Sequence, residues 1–325
     1  MGFPETDHFN GTHFFNPEPP LNPGTRRRGG MLRLFQARLR RDQANWATWP
    51  AQVENKSHPP PDPATPGVTW IGHSSFLLCL EGVNVLTDPV FSERCSPVRF
   101  AGPKRVRAAG LAIEALPRID LILLSHNHYD HMDIPSLRLI HKRFPAAQIV
   151  TGLGNAAFLK RQRQRLPGAV ELDWWESVAL HGAHITATPA RHFAARTLWD
   201  RNKTLWAGFM LNLHGRKIYF GGDSGYTKFF TEIHHRLGAP DFALLPIGAY
   251  KPREVMATVH MNPAEAVQAF RDLHAARAVG MHFGTFQLTG EAIGAPPEEL
   301  AQALAAAGIS PERFFTLDVG ETVRI

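Results

Sequence analysis

The chain has 325 residues, of which 44% are hydrophobic, and a formal net charge of +6 at pH 7. This length and apolar content suit one large globular core or two modest ones. The sequence shows no apolar run of about 18 residues and no basic-then-apolar order at its start, so we expect a cytoplasmic protein. The two cysteines, Cys79 and Cys95, are too few for a disulfide framework and form no C-x-x-C pattern.

The first 66 residues predict an N-terminal arm and a linker. Residues 1–30 are rich in Pro, Gly and Asn, which is typical of irregular chain. Over residues 31–43, apolar residues recur at helical spacing among four arginines, which predicts a basic amphipathic helix. Such a helix either contacts a membrane surface or docks on its own domain, and the sequence leaves both open. The proline-rich stretch SHPPPDPATPG predicts a stiff linker, so we expect the folded domain to span residues 67–325.

From Gly67 onward, strand-like and helix-like segments interleave. Two apolar runs, VTWIGHSSFLLCL and VNVLTD, flank Glu81 and Gly82 and predict a hairpin. The further predicted strands are DLILLSH, QIVTG, HITATPA, LWAGFMLNL, KIYFGGDS, DFALLPIG and ARAVGMHF. The predicted helices cover residues 135–144, 154–165, 227–237, 263–275 and 297–307. Strands come first and then alternate with helices, which favours layered sheets flanked by helices.

Three histidines and two aspartates follow the apolar run LILL in the stretch LLSHNHYDHMD. If LILL is a buried strand, His126 and His128 point to the same side, and Asp130 and His131 open the following turn. Imidazole nitrogens and carboxylate oxygens are the usual ligands of Zn²⁺ and similar ions. A bound metal ion also compensates for the free-energy cost of bringing so many polar groups together. The stretch therefore predicts a metal site. The alternative, a surface histidine cluster, is disfavoured by four donors at this spacing.

The pattern H-x-H-x-D-H after an apolar strand resembles the metallo-β-lactamase superfamily. The resemblance implies an α/β (α+β) fold, the four-layer αββα sandwich, and further ligands at later strand ends. TPARH, YFGGDSG and VGMHFGTF supply His192, Asp223 and His282. By this resemblance, His126, His128 and His192 hold one metal ion, Asp130, His131 and His282 hold the other, and Asp223 bridges them. It implies two Zn²⁺ ions, or other divalent ions in their place.

Longer phrases are similar to the N-acylphosphatidylethanolamine-hydrolysing phospholipase D branch of that superfamily. They include SHNHYDHMD, RTLWDRNKTLW, GGDSGY, PIGAYKPR and VHMNPAEAV, and together they cover nearly all of residues 67–325. The resemblance implies a phospholipid substrate that a metal-bridging hydroxide hydrolyses to N-acylethanolamine and phosphatidic acid. It implies catalytic roles for Asp130, Asp223 and His260. It also suggests a homodimer and, through residues 31–43, peripheral contact with the inner membrane surface.

Four other positions have a functional and a structural interpretation. Asp88, in LTDPVF, matches a superfamily position that orders metal ligands by hydrogen bonds. His260 precedes a predicted helix and either orients substrate or donates a proton, or else makes only a local hydrogen bond. Arg253, in AYKPR, is either a phosphate contact or an ordinary solvated or ion-paired charge. His73, in IGHSSF, is likewise either a substrate contact or a residue with only a structural role.

The metal ligands alone do not select a substrate. Hydrolysis of a lactone or of a small soluble phosphodiester uses the same chemistry, so a soluble metallohydrolase of this fold is the main alternative. A nuclease is disfavoured because no inserted domain or long basic arm accompanies the metal motif, and we expect no nucleic-acid partner. A non-catalytic metal-dependent scaffold would be expected to lack a ligand, and here all seven positions are filled.

Overall fold

The computed structural model describes residues 2–18, 46–161, 166 and 168–325. The basic amphipathic helix expected over residues 31–43 lies outside these residues. Within them, two mixed sheets pack face to face and helices lie against their outer surfaces. This is the α+β sandwich of the metallo-β-lactamase fold, as the sequence predicted.

The first sheet has the strand order β14-β1-β2-β3-β4-β5-β6. Its strands are β1 Gly67–Gly72, β2 Ser75–Leu80, β3 Val83–Thr87, β4 Leu121–Leu124, β5 Gln148–Gly152, β6 Ala169–Leu172 and β14 Thr322–Arg324. Strands β3 to β6 run parallel to one another, whereas β14, β1, β2 and β3 pair antiparallel. The parallel strands therefore end at a common edge.

The second sheet has the order β13-β12-β11-β10-β9-β8-β7. Its strands are β7 Ser177–Leu180, β8 Ala183–Thr188, β9 Gly208–Leu213, β10 Arg216–Phe220, β11 Phe242–Pro246, β12 Arg277–Met281 and β13 Phe314–Phe315. Strands β10 to β13 are parallel, and β7 to β10 pair antiparallel. Each sheet thus combines an antiparallel half with a parallel half.

The helices of the described residues follow the predicted order. They are a 3₁₀ turn Ile113–Ala115, α1 Ile134–Arg143, α2 Asn155–Lys160, α3 Phe229–Leu237, α4 Arg253–Met256, α5 Pro263–Asp272 and α6 Ala295–Ala307. Helix α5 begins with a capping box, in which Asn262 accepts from the Glu265 amide and the Glu265 side chain accepts from the Asn262 amide. This cap fixes the chain directly after His260.

The five predicted helices, the Glu81–Gly82 hairpin and the predicted strands are confirmed, with shifts at their ends. The run VTWIGHSSFLLCL is two strands, because the backbone turns at His73 with φ 55°. Helix α2 covers Asn155–Lys160, and residues 162–165 of the predicted helix lie outside the described residues. Strands β6, β7, β13 and β14 were not predicted, because runs of two to four residues carry too little alternation to be recognised.

The main core lies between the two sheets. It joins Trp70 and Phe76 of the first sheet to Phe209 and Phe220 of the second, all at most 1% exposed. A second cluster lies on the outer face of the first sheet, under α1 and α2. Trp174 belongs to the main core. The sandwich is therefore a rigid support for groups at its strand ends.

Residues 2–18 lie on the surface of the sandwich, and we call them the N-terminal strap. Phe9 and Phe14 are buried in the main core. The ring of His8 stacks on Trp174 with centroids 4.3 Å apart, and His8 Nε2 lies 2.7 Å from Asp173 Oδ1. These contacts attach the strap to the loop that follows β6.

No helix among the described residues combines the length and the apolar character that a bilayer crossing requires.

Candidate metal centre

The seven predicted ligands all follow strands that end at one edge of the sandwich. The stretch His126–His131 follows β4, and His192 follows β8. Asp223 follows β10, and His282 follows β12 directly. Ligands that are 156 residues apart along the chain thus converge where the two sheets meet, as the sequence predicted.

Asp223 Oδ2 lies at the centre of the cluster. It is 3.1 Å from Nε2 of both His131 and His282, 3.7 Å from His192 Nε2 and 3.9 Å from His126 Nε2. One carboxylate oxygen therefore lies between nitrogens of both predicted ligand groups. This is the position that a bridging ligand requires.

Two groups of ligand atoms surround this oxygen. In the first, His128 Nδ1 lies 2.7 Å from His126 Nε2 and 3.2 Å from His192 Nε2. In the second, Asp130 Oδ2 lies 3.4 Å from His282 Nε2 and 3.5 Å from His131 Nε2. The ligand atoms within each group lie within 4.8 Å of one another, as those around one ion would. The cluster of the second group also includes His73, which the implied pairing did not contain.

Several buried polar atoms at the centre have no hydrogen-bond partner among the described residues. They are Nε2 of His131 and His282, Nδ1 of His260, and Oδ1 of Asp223. A buried polar atom without a partner costs about 1–3 kcal/mol, so a group of four in one place must be compensated. Divalent metal ions bound by the ligand residues would supply this compensation, because nitrogen lone pairs and carboxylate oxygens gather at a common centre. The donor set fits divalent ions such as Zn²⁺.

The electrostatics differ between the two ligand groups. In the first, burial is the main cause that lowers the pKa of His128 to about 3 and of His192 to about 4, so both rings are neutral and can bind a metal. In the second, burial opposes protonation, but the Asp223 and Asp130 carboxylates outweigh it and raise the pKa of His282 to about 9. A metal ion that binds the second group must therefore displace the proton from the His282 ring.

Asp88 hydrogen-bonds the ligand His131 and Ser125, the residue that precedes the ligand His126. Its Oδ2 accepts hydrogen bonds from His131 Nδ1 (2.6 Å) and from Ser125 Oγ, and its Oδ1 accepts from the Ser125 amide (2.8 Å). The Ser125 hydroxyl in turn lies 2.9 Å from His126 Nδ1. Because the Nδ1 atoms are engaged, the Nε2 atoms of both rings face the centre. The structure thus places Asp88 where the sequence interpretation required it, behind the ligands.

The remaining candidate residues have different places. His73 Nε2 lies 3.1 Å from Asp130 Oδ2, so His73 adjoins the second ligand group. His260 lies with Nδ1 3.9 Å from Asp223 Oδ2. Arg253 does not join the cluster. Its guanidinium donates to both Glu265 oxygens (2.8 and 2.7 Å) and to the His260 carbonyl (2.9 Å), so it supports the His260 loop.

Two residues near the centre were not singled out from the sequence. Arg196 Nη1 donates to backbone carbonyls of the ligand turn after β4. Asn16 of the strap donates from Nδ2 to the His192 carbonyl (2.9 Å). Arg196 occurs in RTLWDRNKTLW, one of the phrases that carried the family resemblance, but no local pattern assigns a role to Arg196 or to Asn16. Their contacts become visible only in the folded chain.

Comparison with known proteins agrees with this geometry. Residues 83–283 match the family described as "Beta-lactamase superfamily domain". An uncharacterised Mycobacterium tuberculosis protein is 41% identical over 239 residues, which are 73% of this chain and 63% of the relative. N-acyl-phosphatidylethanolamine-hydrolyzing phospholipase D 1 of Caenorhabditis elegans is 38% identical over 263 residues, which are 78% of this chain and 74% of the relative. Igni18, a solved metallo hydrolase from Ignicoccus hospitalis, has a TM-score of 0.61 and 24% identity, covering 80% of this chain and 98% of its own.

The chain has the metallo-β-lactamase fold, and its cluster of imidazole and carboxylate donors suits divalent metal ions. The chain belongs to the metallo-β-lactamase superfamily, in the branch that contains the N-acylphosphatidylethanolamine-hydrolysing phospholipase D relatives. It spans less than two thirds of the mycobacterial relative's length.

Proposed function

We propose that this protein is a dinuclear zinc phosphodiesterase of phospholipase D type that acts on N-acylphosphatidylethanolamine-like lipids. The observation that carries the proposal is the convergence of five histidines and two aspartates at one edge of the sandwich, with Asp223 Oδ2 at their centre. The named activity of the Caenorhabditis elegans relative supports the substrate class. The imidazole-rich donor set supports zinc.

In the proposed reaction, water adds to phosphorus and the bond from phosphorus to the N-acylethanolamine oxygen breaks. The oxygen of water stays on the phosphate, so the products are phosphatidic acid and N-acylethanolamine. Two bound ions of this kind lower the pKa of water and neutralise charge on the phosphate oxygens. The chain supplies two carboxylates, Asp130 and Asp223, within the ligand cluster. Burial raises the pKa of each carboxyl, but the neighbouring histidines, His131 foremost, together outweigh it and hold both pKa values well below the usual range.

His260 is the proposed substrate-orienting residue. Its side chain is buried, its ring centroid lies 5.1 Å from those of both His192 and His282, and its Nδ1 has no partner among the described residues. Burial is the main cause that holds its pKa well below the ordinary value, so the ring is neutral at pH 7. A neutral ring offers one N–H donor, which suits a hydrogen bond to a phosphate or leaving-group oxygen. Arg253 and the α5 capping box fix the loop that presents it.

The test is product analysis on a substrate panel. Purified zinc-loaded protein is assayed with N-acylphosphatidylethanolamine, phosphatidylcholine, a lactone and bis-p-nitrophenyl phosphate. We expect N-acylethanolamine and phosphatidic acid in equal amounts from the first substrate at the highest kcat/KM. Asp130→Asn should abolish turnover, whereas Asp120→Asn, a buried aspartate at the opposite end of β4, should leave it largely intact. Turnover of only the small soluble esters would reject the lipid substrate and favour the soluble metallohydrolase.

A further inference from the structure

The turn that carries four of the seven ligands accepts hydrogen bonds from the guanidinium group of Arg196. The turn follows β4 and has two backbone hydrogen bonds to the His128 carbonyl, from the amides of His131 (3.2 Å) and Met132 (2.8 Å). The carbonyls of Asn127 and Met132 both lie in buried residues. Arg196 Nη1 donates to each of them at 2.7 Å. Asn127 lies between two ligands and Met132 follows another, so these two bonds bracket the ligand turn.

Arg196 is held in place from several sides. Its guanidinium lies 3.9 Å from the ring centroid of Tyr129 and 5.0 Å from that of Phe158. Its own carbonyl accepts from Tyr129 Oη (3.2 Å), and its amide donates to Asp200 Oδ1 (2.9 Å). Tyr129 belongs to the ligand turn itself. Arg196 and the turn are therefore joined by hydrogen bonds in both directions and by ring stacking.

The nature of these partners separates Arg196 from an ordinary ion-paired arginine. Its guanidinium donates to main-chain carbonyls, and among the described residues no carboxylate accepts a hydrogen bond from the guanidinium. Arg196 is half-buried, and a cation near a site for divalent ions weakens their binding through charge repulsion, so its presence needs a compensating role. Holding the turn provides that role, because a metal centre tolerates displacement of its ligands by only about 0.5 Å.

We propose that Arg196 is a positioning residue that sets the geometry of the ligand turn and thereby the metal affinity of the centre. Among the described residues its guanidinium donates to no ligand side chain, and it acts through the backbone on both sides of the ligands. Loss of its two hydrogen bonds frees the turn to shift while the sandwich beneath it stays folded. The proposal rests on the metal centre of the proposed function, and it does not depend on the identity of the substrate.

The test measures metal binding, so it is independent of substrate turnover. Arg196→Met keeps the aliphatic stem and removes every donor. The matched control is Arg105→Met, since Arg105 is also a half-buried arginine near an aromatic ring, Phe286, but it donates to the carbonyls of Ser92 and Val90. Zinc dissociation constants are measured by chelator competition and the ligand field by the visible spectrum of the Co²⁺-substituted protein. Thermal unfolding reports the folding of each variant.

We expect Arg196→Met to weaken zinc binding by about 10- to 100-fold, the range found for groups that orient metal ligands, and to change the Co²⁺ spectrum. Arg105→Met should lower Tm without either effect. Arg196→Lys keeps the positive charge but has a shorter side chain without the guanidinium fork, so this variant should bind zinc more weakly than the native protein. It provides the test if Arg196→Met does not fold. Native zinc affinity and an unchanged Co²⁺ spectrum in either Arg196 variant would overturn the proposal. Failure of the lipid assay alone would leave it intact.

Discussion

Replacing Asp88 with asparagine tests how the chain orients its metal ligands. Asp88 is fully buried, and its two oxygens accept three hydrogen bonds, from His131 Nδ1 and from the amide and hydroxyl of Ser125. An asparagine has only one acceptor atom, so its NH₂ group must face either His131 Nδ1 or Ser125. If it faces His131, the imidazole must accept at Nδ1 and carry its proton on Nε2. That tautomer has no lone pair for a metal.

The magnitude of this effect follows from the role of the lost bonds. Disrupting a group that orients a metal ligand weakens metal affinity by about 10- to 100-fold. A hydrogen bond to a charged group contributes about 1.5–3 kcal/mol to stability, so we expect Asp88→Asn to lower the free energy of unfolding by a similar amount. Ser125→Ala is the matched control, because it removes the hydroxyl and leaves the carboxylate on His131. It should lower zinc affinity less.

The assay is a zinc titration by chelator competition, with denaturant unfolding of the same samples in the presence of a chelator. The reasoning predicts weaker binding of at least one of the two ions in Asp88→Asn. Two zinc ions bound at native affinity in this variant would refute the argument that Asp88 sets the imidazole tautomer. Loss of folding stability alone would show only that Asp88 supports the fold.

Two further predictions concern the strap and a glycine beside the centre. Burial lowers the pKa of His8, but hydrogen bonds to Asp173 and Asp7 outweigh it and raise that pKa above the ordinary value. The contribution of His8 to stability should therefore be complete below about pH 6.5 and should decrease as the pH rises through the raised pKa. The Tm of the native protein should show this decrease, and the Tm of His8→Gln should not. Gly222 has φ 57°, and an added Cβ would lie 2.8 Å from Ser125 Cβ. Gly222→Ala should thus reduce zinc binding and Tm together, and a native zinc titration of that variant would contradict the close approach.

The sequence predicted the parts of the centre that depend on local pattern. His126 to His131 follow an aliphatic strand at a spacing that is typical of metal ligands, and the glycine-rich turn before Asp223 marks a strand end. The structure brings these residues together because parallel strands end at one edge. His73 was noted only as a candidate substrate contact. Its position beside Asp130 results from the turn between β1 and β2. This turn was not predicted, because VTWIGHSSFLLCL reads as one continuous apolar run.

The supporting contacts were not predictable, because they join segments far apart in the sequence. Arg196 bonds to a turn that is more than 60 residues earlier, and Asn16 bonds to His192, which is 176 residues later. Arg253 was weighed as a phosphate contact, and the structure shows it paired with Glu265, twelve residues on. A charged residue in a loop has many partners available, and only the fold selects among them.

The central claim is that residues from four strands hold two ions on either side of Asp223. It is tested most directly by anomalous diffraction at the zinc absorption edge from crystals of the zinc-loaded protein. The account predicts two peaks in the anomalous map, one bound by His126, His128 and His192 and the other by Asp130, His131 and His282, with Asp223 bound to both. A single peak, or peaks away from these side chains, would contradict it.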